Sequence, residues 1–248
     1  MIYLILIALL CYSAMQFIES ASFASRLAGK LVNRLSLGTT LQNTVFVTSR
    51  LFLPPLLLTL SFMIEFKNIS LQLFLLTSSA LVISGFFFSL IVLINFNYFQ
   101  IFFQRLFLQY EFNTIPVAIV KEFFGKKKKL KQINLEVIPS IRGLSLKKIA
   151  TSTFAYFFLT TGFLITFSFA IFIPDYRMTL SQLAALGHGI GALILALYID
   201  PMISRSLDLR LQDSNWLENI YSIFVGRLLA YILASILFLA VYLYKYLI

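Results

Sequence analysis

Apolar residues gather in six windows, at about 1–18, 39–64, 69–97, 149–174, 179–203 and 220–246. Each is long enough to cross a bilayer as a helix. The pattern predicts an all-α polytopic membrane protein, a single membrane domain over residues 1–248. A polar series, Glu19, Arg26, Gly29, Arg34, Asn43 and Arg50, runs through one of the most apolar stretches. An arginine at a helix centre costs roughly 2.5–3.5 kcal/mol on insertion scales, so these residues need partners, a wet cavity or a polar ligand. Snorkelling from helix ends fits Glu19 and Arg34. It does not fit Arg50, which lies roughly 14 Å beyond the apolar start at Leu41 in a core roughly 30 Å thick.

Within this frame the windows show local breaks. Pro54-Pro55 removes two backbone donors just after Arg50, which predicts a kinked or broken second span facing protein or a wet cavity. Segment 19–38 reads as an interfacial helix, with Arg26, Lys30 and Arg34 recurring every four residues as one cationic row. That row would touch phospholipid heads or form an entry ladder for an anionic head group. Asn97 to Gln109 reads as an aromatic interfacial helix continuing the third span. Gly187 and Gly191 have the spacing for close helix approach, within the chain or in a homodimer. His188 between them is expected to bond a neighbouring helix rather than relay a proton. Asp200-Pro201 closes the fifth span, and Arg227 sits roughly 10 Å inside the sixth. Asp200 is the partner type for Arg227 or Arg50.

Composition narrows the class. With 60% hydrophobic and 12% charged residues the chain is no ordinary soluble domain. One cysteine, Cys11, and one histidine exclude a disulfide framework, a CxxC redox pair and a multi-histidine metal site. No metal or cofactor is expected. The first window carries no Lys or Arg before its apolar run, so it reads as a span rather than a signal peptide.

The net charge of +10 is concentrated in connections 23–38, 110–148 and 204–219. The alternate connections hold only Lys67 and Arg177, beside Glu65 and Asp175. The positive-inside rule puts the basic connections in the cytoplasm and both chain ends outside. The charge therefore reports topology, not nucleic-acid binding. Lys126–Lys129 in the long connection 110–148 reads as a polybasic surface for membrane lipids. Gly125-Lys126 lacks the other residues of a phosphate-binding loop. An enzyme acting on a lipid phosphate would have to rely on acids such as Asp208, Asp213 and Glu218, since HExxH and GxSxG are absent.

On this topology Glu19, Arg50, Asp200 and Arg227 fall in the cytoplasmic half of the bilayer or near its centre. They describe a cationic, partly compensated cavity opening inward, suited to a polar, anionic head group from the inner leaflet. The string from Glu19 to Arg50 resembles the opening of the Amj family of lipid II flippases, the bacterial alternates to MurJ. Glu19, Arg26, Gly29, Asn43, Ser49 and Arg50 match its signature, with Phe23 where the family has tyrosine. Asp200-Pro201, Asp208 and Arg227-Leu228 look like its second cluster.

The resemblance implies a transporter in the bacterial inner membrane that moves undecaprenyl-pyrophosphate-linked peptidoglycan precursor outward. It implies Arg26, Arg50 and Arg227 as diphosphate contacts, flanked by Arg34, Asn43 and Ser49. Glu19 and Asp200 would hold the arginines or change protonation.

Overall fold

The computed structural model describes residues 1–66, 69–110, 112–124, 143–208 and 213–247. Lys67, Lys126–Lys129 and Arg210 lie outside the described residues. Among those described, the chain is helical, with no strand. Six segments are long and apolar enough to span: Ile2–Leu31, Leu35–Glu65, Leu71–Ile94, Leu146–Phe172, Pro174–Arg205 and Glu218–Lys245.

The first span, α1 (Ile2–Leu31), corrects the expectation that an interfacial helix begins at residue 19. It stays helical through Glu19 and Arg26, and every residue from Glu19 to Gly29 is buried. Small residues such as Ser20, Ser22, Ser25 and Ala28 let neighbours close around it on all sides. Lipid never meets this half of α1, so its polarity carries no bilayer penalty.

The cationic row is also broken. Val32 ends α1, Asn33 takes a left-handed φ of 56°, and Arg34 caps the next helix, α2 (Leu35–Ser49). Asparagine tolerates that conformation. The two helices cross at glycines: a Cβ on Gly29 would stand 2.7 Å from the Gly38 Cα.

The second span breaks where its prolines predicted. Past α2 a short 3-10 turn, Arg50–Phe52, leads into α3 (Leu53–Glu65), with Pro54 and Pro55 in its first turn. Proline is tolerated there because first-turn N–H groups lack helical partners anyway. Along α2 the exposed Thr40, Thr44 and Thr48 hydroxyls each donate to the carbonyl four residues back, at 2.8–3.0 Å.

The third span, α4 (Leu71–Ile94), stops at Asn95, whose side-chain amide donates to the Ile91 carbonyl at 2.8 Å. The segment after it does not continue the span. It forms α5 (Phe96–Tyr110), whose buried stripe of Phe96, Phe103, Leu106 and Phe107 packs against α1. The short α6 (Ile115–Phe124) follows.

The fourth span, α7 (Leu146–Phe172), packs on both the fifth and the sixth. The fifth is built from α8 (Arg177–Gln182), α9 (Ala184–Ile194), a π-helical stretch over Leu195–Ile199, and α10 (Asp200–Asp208). Pro201 has no N–H for the Leu197 carbonyl and its ring crowds that oxygen, which accounts for the widened turn before it. The last helix, α11 (Asp213–Leu247), packs on α4 and α7.

Gly187 and Gly191 pack within the chain. A Cβ on Gly162 of α7 would lie 2.3 Å from the Gly187 backbone, and one on Gly191 would lie 2.3 Å from the Leu159 nitrogen. That face is therefore occupied by α7.

The apolar core is divided in two. One cluster holds Phe23, Leu27, Phe96, Tyr156 and Phe224; the other holds Tyr12, Met15, Leu60, Phe163 and Phe238. On α1 the two are separated by Gln16, Glu19 and Ser20, and on α11 Arg227 lies between Phe224 of the first and Tyr231 of the second. The second, third, fourth and fifth spans contribute Arg50, Ser89, Thr160 and His188 between the same clusters. All six spans thus place a polar residue in one layer.

Gly162→Val should lower stability by about 1–3 kcal/mol, the usual range for overpacking. Gly189→Ala, which meets nothing within 4 Å, should be neutral or stabilising. Thermal unfolding of both purified variants in detergent checks this.

Candidate functional site

Glu19 anchors the polar layer. Its carboxylate is fully buried and faces two guanidinium groups, Arg227 Nη2 at 3.2 Å and Arg50 Nη2 at 3.3 Å. The Ser49 hydroxyl, which donates to the Phe46 carbonyl at 2.6 Å, lies 3.4 Å from the same carboxylate. A buried carboxylate of this kind keeps its charge only because cations and donors replace its water. The expectation that Glu19 snorkels is therefore corrected, because its partners lie inside the protein.

Arg227 is held most firmly. Its Nη2 also donates to Gln16 Oε1 at 2.7 Å, and its Nε donates to the Tyr231 hydroxyl at 3.1 Å. Tyr231 in turn donates to Gln16 Oε1 at 2.5 Å and accepts from Ser89 at 3.3 Å. The Tyr156 ring lies under the guanidinium, 4.8 Å from centroid to carbon.

Arg50 is held differently. It sits at the middle of the 31-residue second span, and its side chain is 21% exposed. Its guanidinium lies 4.4 Å from the Phe46 ring centroid, and Nη1 bonds His188 Nε2 on α9. The other ring nitrogen of His188 lies 2.7 Å from the Leu159 carbonyl. His188 does bond a neighbouring helix as expected, and it also reaches Arg50.

Asp200 pairs with neither Arg227 nor Arg50. Its partner is Arg26 on α1, whose Nη2 lies 2.6 Å from Oδ1. Arg26 is buried while the Asp200 side chain is 42% exposed. Beside this pair is a cavity of about 100 Å³ between α2 and the fifth span. Gln42, Asn43 and Phe46 form one wall, Ala192, Leu195, Ala196 and Asp200 the other, with Phe23 and Tyr156 completing the lining. Among the described residues, Arg26 Nε and Nη1, Arg227 Nη1 and Gln42 Oε1 find no hydrogen-bond partner. The site as a whole carries three guanidinium groups against two carboxylates.

The structure thus gathers Glu19, Ser49, Arg50 and Arg227 at one point and joins Arg26 to Asp200 at another. Asn43 lines the cavity between α2 and the fifth span. Arg34 stands apart, in an open surface groove with Leu37, Tyr110, Phe112 and Asn113. Among the described residues, no three His, Cys, Asp or Glu side chains gather as a metal site would require. Glu218 lies against Gly143, three residues before α7.

Both pairings join the two ends of the sequence: Glu19 to Arg227, and Arg26 to Asp200. Residues 12–247 match the family described as Amj, Alternate to MurJ. The chain belongs to the Amj family. Neither a curated protein nor a solved structure matches it.

Within this Amj protein, sequence reading missed Gln16, Tyr156, Tyr231 and the reach of His188. Tyr231 carried a signal, four residues after Arg227 and so on the same helix face. Gln16 stands three residues before Glu19, also on a shared face. Tyr156 gave no signal beyond being a polar aromatic in an apolar span.

Glu19→Gln leaves buried Arg227 and partly buried Arg50 without their shared counter-charge and should cost about 3–5 kcal/mol, as for breaking other buried pairs. Adding Arg227→Gln should recover part of that loss. Unfolding of the single and double variants in detergent micelles measures both, and equal stability of Glu19→Gln and the unsubstituted protein would refute the pairing.

Proposed function

We propose that this protein carries lipid II, the undecaprenyl-pyrophosphate-linked peptidoglycan precursor, from the inner to the outer leaflet of the bacterial inner membrane. Membership of the Amj family supports this. The observation that carries it is an excess of arginine, two guanidinium groups buried and a third partly buried against two carboxylates, beside the cavity between α2 and the fifth span. A mid-membrane cation excess is stable only where an anion visits or a polar cavity reaches it. Spare donors on Arg26 and Arg227 suit phosphate oxygens.

Each residue then has a role. The basic connections lie in the cytoplasm, so the end of the cleft at Asp200 receives the head group from the inner leaflet. Arg34 lies at the same end of the bundle as an outer contact, and Asn43 lines the way in. Arg26, loosened from the half-exposed Asp200, meets the diphosphate first. Arg50, the more exposed partner of Glu19, turns to the diphosphate next, with Ser49 beside it. Arg227 stays and neutralises Glu19, so the carboxylate is never left alone. The polyprenyl tail remains in lipid at the gap between α2 and the fifth span, where Val47, Leu193 and Leu197 face outward.

The cavity of about 100 Å³ is much smaller than a disaccharide-pentapeptide, so transport requires the cleft to widen. The broken second span and the π-helical stretch of the fifth supply irregular backbone where that movement is needed.

In bacteria depleted of their own flippase, this protein should restore lipid II exposure on the outer membrane face. Arg50→Ala should reduce exposure to background at unchanged abundance, and Arg50→Lys should retain only a fraction. Failure of the unsubstituted protein to restore exposure, while present in the membrane, would remove lipid II from the proposal. Normal exposure with Arg50→Ala would remove the cleft.

A further inference from the structure

His188 lies outside every role assigned above, yet it makes the contact that closes the cleft. The second and fifth spans are tied at two levels. Near the ends of α3 and the start of α8, Arg177 Nη1 donates to the Ile64 carbonyl at 3.3 Å. At mid-membrane, Arg50 bonds His188. Below that bond the walls part around the cavity bounded by Asn43 and Phe46 on one side and Ala192 and Asp200 on the other. Asn43, Phe46 and Arg50 follow one another along one side of the second span at helical spacing. The cavity and the Arg50–His188 contact are therefore successive levels between the same two spans, with the contact one helical turn beyond the Phe46 and Ala192 end of the cavity.

The chemistry of that contact depends on one proton. The Leu159 carbonyl can only accept, so His188 Nδ1, 2.7 Å away, carries the ring N–H. In the neutral ring Nε2 is then a lone pair aimed at a guanidinium, which can only donate. A second proton would put N–H against N–H and like charge against like charge. Arg50 and Glu19 are the charged groups that act on the ring, and the Phe163 ring packs beside it at 6.5 Å between centroids. Glu19 lies beyond Arg50, which it pairs with directly.

We propose that neutral His188 positions Arg50 across the cleft as a mid-membrane gate, and that loss of this contact opens the cleft to the opposite side. This rests on the cleft being the transport path. The gate has to open for a diphosphate to pass, and an anion that draws Arg50 away opens it. Protonation of His188 opens it as well, so the closed state is favoured as pH rises and lost as pH falls.

The test is cysteine labelling of the full-length protein in oriented vesicles without any lipid substrate. It can therefore fail independently of lipid II transport. Asn43→Cys is placed in a Cys11→Ala background, and a membrane-impermeant maleimide is added on the side of the chain termini, opposite the Asp200 end. With His188 intact, labelling from that side should be slow. His188→Phe removes the acceptor and should speed it about tenfold or more, as for losing one hydrogen bond to a charged group. His188→Gln keeps an acceptor without a titrating proton and should stay slow. Stepwise acidification, carried down until the ring takes its second proton, should open the protein with His188 but not His188→Gln.

Unfolding temperatures of the three proteins separate gating from misfolding. Should His188→Phe unfold, the pH response of the protein with His188 against His188→Gln decides alone. Fast labelling with His188 intact at neutral pH would overturn the gate, as would equal slow labelling in a folded His188→Phe.

Discussion

One buried carboxylate organises this protein. Glu19 has no access to water, and its charge is tolerated because Arg227 and Arg50 approach it from two other spans. Such a pair adds little net stability over an apolar core, since desolvation cancels most of the attraction. Its value is in specificity. Only one rotation and depth of α1 brings Glu19 to both arginines, and the same setting brings Arg26 to Asp200. The polar layer therefore fixes the register of the bundle, and apolar packing above and below it then supplies adhesion without having to supply direction.

The two arginines on Glu19 differ in what else holds them. Arg227 is tied to Gln16 and Tyr231 and lies over Tyr156, so displacing it would strand several groups at once. Arg50 has Phe46, His188 and a share of Glu19, with an open side toward the cleft. On the proposed transport path this divides a fixed counter-charge, Arg227, from an exchangeable one, Arg50.

Much of this was legible in the sequence because hydropathy reports burial in oil. The six spans followed from the length of the apolar runs, the break at Pro54-Pro55 from the missing backbone donors, and the need of Arg50 for internal partners from the cost of charge in lipid. The same logic misread α1. Polar residues from Glu19 onward looked like a helix leaving the membrane, whereas they enter the protein interior, an environment that hydropathy cannot distinguish from water. Asn95 was similarly hidden, since a single capping amide ends α4 inside a run of aromatic residues. The pairing of Asp200 with Arg26 was beyond reach because it joins residues far apart in the chain. Glycine spacing was read correctly as close approach, but the partner surface on α7 is marked only by Gly162.

Those glycine contacts also determine what can move. At Gly29 and Gly38, and again at Gly162 and Gly187, backbone meets backbone with no side chain between. Flexible side chains can re-sort during a motion, but two main chains in direct contact have no such slack. The α1–α2 pair and the α7–α9 pair therefore form two stiff units, one on each side of the cavity. On the proposed transport path, tilting one unit against the other keeps both backbone contacts, whereas peeling a single helix outward would break one.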